Sequence, residues 1–161
     1  MVSGAVHHYR VHCSWTGSTG TGYEAYDRHH VLRAPPSEEE LHVSADPAFR
    51  GDARLLNPES MLVAAAVSCQ LLSFLAVAAR ARIDVVAYDD DAQAVMDDGD
   101  PPARVNRIEL RPRITVRSAV PEERIRHLCE VAHRECFIAN SLRSDIVVSP
   151  TVTLLGPELP A

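Results

Sequence analysis

The longest uninterrupted apolar run lies near the middle of the chain, where no residue from Met61 to Ala79 carries a charge. Just ahead of it, Asn57-Pro58-Glu59 has the form of a helix start. Asparagine accepts N–H bonds at a cap, proline suits the first helical position, and an acidic side chain complements the positive end of the helix dipole. The pattern predicts a long helix from Pro58 onward. A run of this length also meets the length requirement for crossing a membrane. Six alanines, with Ser68, Gln70 and Ser73 in its middle, point instead to the central helix of a folded core, which can be apolar all round.

Elsewhere the period is closer to two. Residues 5–14 and 23–33 alternate loosely and predict a hairpin around the glycine-rich turn at 17–22. Pro35-Pro36 ends it, a short third strand is predicted over 41–44, and 45–56 reads as loop. Beyond the long helix, 83–96 and 105–116 predict two long partner strands joined by a turn at 97–102. Pro121-Glu122-Glu123 opens a second helix expected to reach about Ile138, and 146–154 reads as a final strand. The expected fold class is α+β: antiparallel strands, one long buried helix and one amphipathic helix, in a single domain over 1–161.

Composition narrows the function. A net charge of −6 with both signs interspersed gives no basic stripe for nucleic acid. The first residues show no charged start followed by a long apolar stretch, so a cytoplasmic, non-membrane protein is expected. In that compartment four cysteines are not structural staples. They are buried small residues, metal ligands or working thiols.

Cys69 lies in the middle of the long helix and Cys136 near the end of the second. Each alone reads as a core residue. As a pair they suggest redox chemistry. A thiolate can attack a peroxide oxygen to give a sulfenic acid, and a second thiol can condense with that acid before further oxidation. A cation near the first sulfur would lower its pKa, and a carboxylate can orient that cation.

The segment Asn57-Pro58-Glu59-Ser60-Met61-Leu62-Val63-Ala64-Ala65-Ala66-Val67-Ser68-Cys69 resembles the central-helix motif of the osmotically inducible protein C and organic hydroperoxide resistance family (OsmC/Ohr). Ala132-His133, then Cys136-Phe137-Ile138-Ala139-Asn140-Ser141-Leu142, resembles the second-cysteine motif of its OsmC-like branch. Trp15-Thr16-Gly17, Gly20-Thr21-Gly22-Tyr23, Tyr26-Asp27-Arg28-His29-His30 and Asp46-Pro47-Ala48-Phe49-Arg50-Gly51-Asp52 fit the same branch. The resemblance implies antiparallel sheets around a long central helix in an intertwined homodimer. It implies reduction of organic hydroperoxides to alcohols with no metal or flavin. Cys69 would attack, Cys136 would resolve through a Cys69–Cys136 disulfide, and an external dithiol, lipoyl-linked in the best understood branch, would reopen it. Glu59 matches the family's active-site glutamate. Arg28 is the match for its arginine, with Arg50 as competitor.

One geometric point bears on this. Glu59 and Cys69 are ten residues apart on one predicted helix, roughly 15 Å along its axis. A shared site therefore needs a kink or a second subunit, and the second subunit is expected. Gln70 stands where a histidine or aromatic is commoner in the family, a departure that could alter the pocket or the thiol. Phe137 or Phe74 is expected to line an apolar substrate pocket, and Cys13 is expected to pack.

Two alternatives use the same residues. Cys129, His133 and Cys136 fall at i, i+4 and i+7 on one helix face, three potential ligands of a non-enzymatic metal-binding protein. A redox sensor would use Cys69 and Cys136 but pass the oxidation to a partner. The acidic clusters at 89–91 and 97–100 do not follow a calcium-loop pattern.

Overall fold

The computed structural model describes residues 4–99 and 101–156. They divide at Met61/Leu62 into two compact units.

The first unit is a three-stranded antiparallel sheet of β1 (His12–Ser14), β2 (His30–Arg33) and β3 (Glu40–Val43), with β2 in the centre. Strands β1 and β2 are much shorter than the alternation predicts. Residues 15–29 instead form an irregular excursion with a 3-10 turn at Thr19–Thr21. Specific bonds hold it: Trp15 Nε1 donates to Asp27 O at 2.7 Å, and His29 N donates to the Asp27 carboxylate at 2.9 Å. After β3 the chain turns tightly. Asp46 caps a 3-10 turn at Pro47–Phe49 and also accepts from Asn57 Nδ2 at 3.2 Å. Gly51 sits where a Cβ would lie 1.6 Å from Ala45 O, so no other residue fits that turn without rearrangement. Asn57 Oδ1 accepts from Ser60 N at 2.7 Å, which is the predicted cap. The helix it opens, α1 (Pro58–Arg80), straddles the division between the units.

The second unit contains a sheet bent across its middle. Each long strand read from the sequence is two strands here: β4 (Asp84–Asp90) and β5 (Gln93–Asp97), β6 (Arg104–Leu110) and β7 (Pro112–Arg117), β8 (Asp145–Val148) and β9 (Thr151–Leu155). β4, β7 and β9 form one half, and β5, β6 and β8 the other. β4 pairs with β7 and β5 with β6 antiparallel, whereas β8 and β9 run parallel to β6 and β7. The three bends lie side by side. Asp90 accepts the Arg111 N–H at 2.7 Å, and Ser149 N donates to Leu110 O at 2.9 Å, so the groups released by the bend are satisfied.

Alternation runs through the bend without changing phase, because Ile108, Leu110, Pro112, Ile114 and Val116 are all buried. Two core clusters form on that face. Ala66 of α1 packs with Ile108 and Leu110, and Phe74, Val77 and Ala78 pack with Ile114 and Val116. Helix α2 (Glu122–Glu135) adds Ile125, Leu128, Cys129 and Ala132 to the second cluster. The second predicted helix is therefore shorter than expected. It breaks at Cys136 and restarts as α3 (Phe137–Ser141).

Helix α1 corrects the expectation of a wholly buried helix. Ala66, Gln70, Phe74, Val77 and Ala78 are buried. Ala64, Ala65, Ser68, Leu72, Leu75, Ala76 and Ala79 are exposed in this chain. By length and composition α1 could cross a membrane, but its buried stripe is part of both core clusters.

Candidate functional site

Cys136 occupies the joint between two helices, and its backbone explains why the joint is there. With φ −71° and ψ 111° it is extended, so α2 stops. Its N–H still donates to His133 O at 3.2 Å, and its thiol accepts from Ala139 N at 3.4 Å. Cys136 thus ends one helix and caps the next. This geometry brings it against Cys69. Ile138 N donates to Cys69 Sγ at 3.5 Å, and the two thiols share a hydrogen bond.

The two sulfurs are electrostatically unequal. Burial pushes the Cys69 thiol up, but the N–H of Ile138, the Cys136 thiol, the N–H of Phe137 and the Ser73 hydroxyl all donate to it and bring it below its ordinary value. Burial first, and its bond to Cys69 second, together push Cys136 up to about 11. Cys69 is the more acidic thiol of the pair and Cys136 the proton donor between them. Only a thiolate is strongly nucleophilic, so the donors favour Cys69 over Cys136 as the nucleophile of the pair.

Cys69 opens into a groove of about 790 Å³ lined by Ser68, Leu72, Ala76, Phe137 and Ile138, with Arg134 and the Arg80–Glu135 ion pair among its polar residues. Cys136 is 1% exposed. Phe137 lines the groove as expected, whereas Phe74 is fully buried in the core and does not. Gln70, one position on from Cys69, points into the core. Its Nε2 donates to Cys129 O at 3.3 Å and lies 3.6 Å from Cys129 Sγ, and its Oε1 is buried without a partner. Its departure from the family pattern therefore lies on the face away from the groove.

The other sequence candidates are placed differently. Glu59 lies in the first turn of α1, and its Oε2 is buried without a hydrogen-bond partner. Arg28 lies in the first unit, with its guanidinium 3.9 Å from the Tyr26 ring centre and 4.9 Å from that of Tyr23. It donates to Tyr26 O at 2.8 Å and Tyr23 O at 2.6 Å. Arg50 is held at the surface by Glu24 at 2.7 Å. Within this chain the lowering of Cys69 comes from neutral donors of the second unit. Ser73 is the residue the sequence reading missed. Its signal was the i, i+4 spacing from Cys69 on a helix.

Cys129 is buried, is pushed up to about 11 by burial, and lines a different cavity together with His133. Among the described residues no three His, Cys, Asp or Glu side chains are grouped to hold a metal ion. The proposed ligand set of Cys129, His133 and Cys136 does not assemble, because Cys136 turns to Cys69 at the end of α2. Cys13, expected to pack, is exposed on β1.

A long central helix across a sheet, with a thiol pair at its middle, defines an α+β protein built around one half-buried cysteine. The sequence model for the OsmC-like protein family matches residues 51–151, and the chain belongs to that family. An OsmC-like protein of unknown function from Vibrio cholerae has the same fold, with TM-score 0.82 at 24% identity over 91% of this chain and 100% of that one. So does an organic hydroperoxide resistance protein OsmC from Legionella pneumophila, with TM-score 0.66 at 14% identity over 93% and 99%. The organic hydroperoxide resistance protein OhrB of Bacillus subtilis gives TM-score 0.59 at 16% identity over 92% and 100%. No curated protein matches the chain significantly.

Proposed function

We propose that this protein is a cysteine-based peroxidase that reduces organic hydroperoxides to alcohols. The observation that carries the reading is the thiol pair itself: a lowered Cys69 at an apolar groove, hydrogen-bonded to a raised, buried Cys136. Cys69 thiolate attacks the distal peroxide oxygen, the alkoxide leaves as alcohol on taking a proton, and Cys69 becomes a sulfenic acid. Cys136 condenses with it, releasing water and forming the Cys69–Cys136 disulfide. An external dithiol, of lipoyl type in the family this chain resembles, returns the pair to thiols. The apolar lining favours bulky organic peroxides over hydrogen peroxide.

The working form on this reading is a cytoplasmic homodimer. The exposed face of α1, with Leu72 at 63% exposure, continues into Phe137 at 82%. An apolar face of this kind marks an interaction site. Glu59 and Arg28 would then serve Cys69 from the second subunit, with the unpartnered Glu59 carboxylate oxygen free to orient the guanidinium.

The test treats reduced protein with a slight excess of cumene hydroperoxide and maps disulfides by mass spectrometry. A Cys69–Cys136 link forming faster than with hydrogen peroxide is expected. Both thiols remaining free would sink the reading.

A further inference from the structure

The two sulfurs of the pair differ in access as well as in acidity, and these two properties pull the reopening of their disulfide in opposite directions. The geometry points to attack of the reductant on the Cys69 sulfur, from the groove, with Cys136 expelled first. This inference rests on the thiol-pair reading above.

Thiol–disulfide exchange is an in-line displacement. The attacking thiolate must approach along the extension of the S–S bond, and its rate depends on the leaving thiol, on which sulfur is attacked and on access. Acidity alone would direct attack to Cys136, because Cys69 is the more acidic thiol and the better leaving group. Access opposes this. Cys136 is 1% exposed and lies under the first turn of α3, whose Ala139 N–H bonds to its sulfur at 3.4 Å. A nucleophile reaches it only if α3 is peeled from the end of α2. Cys69 faces the groove between Leu72 and Phe137, where a slender thiol has room. Access decides, since no leaving-group advantage acts on a sulfur that is not reached.

A dithiol's first thiolate bonds to Cys69 sulfur, the Cys69–Cys136 bond breaks, and Cys136 leaves as a thiolate that takes a proton. The dithiol's second thiolate then attacks its own neighbouring sulfur, closing a cyclic disulfide and expelling Cys69. Two electrons pass from the dithiol to the protein. The second step releases the sulfur that Ile138, Phe137 and Ser73 stabilise as a thiolate. The order of events therefore leaves the poor leaving group to the first step and the good one to the last.

The experiment reads the regiochemistry directly in the full wild-type chain. The Cys69–Cys136 disulfide is made with diamide, which forms it whether or not a peroxide does, so the result is independent of the peroxidase reading. The oxidised protein is mixed with excess 2-mercaptoethanol and quenched in acid within seconds. It is then unfolded, alkylated with N-ethylmaleimide and mapped by mass spectrometry. Mercaptoethanol on Cys69 with maleimide on Cys136 is expected, in roughly tenfold excess over the reverse pattern. Equal amounts, or mercaptoethanol mainly on Cys136, would overturn the inference. A parallel sample oxidised with cumene hydroperoxide reports on the peroxidase reading separately, by whether the disulfide forms there at all.

Discussion

Cys69 and Cys136 have the same side chain, and their different roles come from what donates to each sulfur. Cys69 receives the N–H groups of Ile138 and Phe137, a hydroxyl and a thiol; Cys136 receives the N–H groups of Ala139 and Ile138 and gives its own proton away. As pH rises Cys69, lowered from its ordinary value, ionises before Cys136 and Cys129, which are each raised to about 11 and stay protonated through neutrality. Iodoacetamide at pH 7.5 should therefore label Cys69 and the exposed Cys13 and spare the other two. Peptide mapping checks this, and comparable labelling of Cys136 would contradict the assignment. Ser73→Ala should move the alkylation profile of Cys69 to higher pH and slow peroxide reduction several-fold at pH 7, with the loss recovered at alkaline pH and Ser73→Thr restoring the profile. A purely structural role for Ser73 would lower activity at every pH alike. Much of this was legible in the residues: both thiols, their family motifs and the cap at Asn57. The source of the lowered pKa was not, because two of its donors are backbone amides whose direction is set by a helix break at Cys136, and side-chain patterns do not report where an N–H points.

At the scale of elements, the sequence reads three long strands where the protein has six short ones. The reason is physical. Burial alternates on the same parity from Ile108 to Val116, so the period-two signal passes unbroken through the bend. Signals for the bend were present in Arg111-Pro112 and Ser149-Pro150, since proline lacks a ladder N–H and restricts the residue before it. At Asp91-Ala92 no such signal exists, and the break there follows from its neighbours. In the first unit the opposite error occurs. Loose alternation over 23–33 predicts a strand, but the hydrogen bonds of Trp15, Arg28 and His29 take up the backbone of 23–29 instead. The bend depends on Asp90, which satisfies the Arg111 N–H and also accepts from Tyr88 Oη at 3.3 Å. Asp90→Ala removes that bond, which is exposed, and should destabilise the fold by about 0.5–1.5 kcal/mol, the net worth of a typical hydrogen bond. Urea unfolding measures it. A change within error of zero would mean that water replaces the carboxylate and that the bend is held by packing alone.

The molecule as a whole presents an apolar helix with one face in the core and one face bare. Leu72 and Phe137, at 63% and 82% exposure, stand beside the groove that holds the thiol of Cys69. Burying such side chains is worth about 1.5–3 kcal/mol each, so a protein that leaves them in water gives up a sizeable fraction of its stability unless a second copy covers them. Leu72→Glu places a charge on that face without touching the core, since Leu72 belongs to neither packed cluster. Light scattering should give the wild-type protein twice the mass of the chain and the variant the mass of a single chain. The variant should lose peroxide reduction; the donors to the Cys69 sulfur all lie within one chain and stay in place, while the new carboxylate three residues on along the helix raises that thiol. A fully active single-chain Leu72→Glu protein would show that one subunit suffices, and the assignment of Glu59 and Arg28 to a shared site would fall with the dimer.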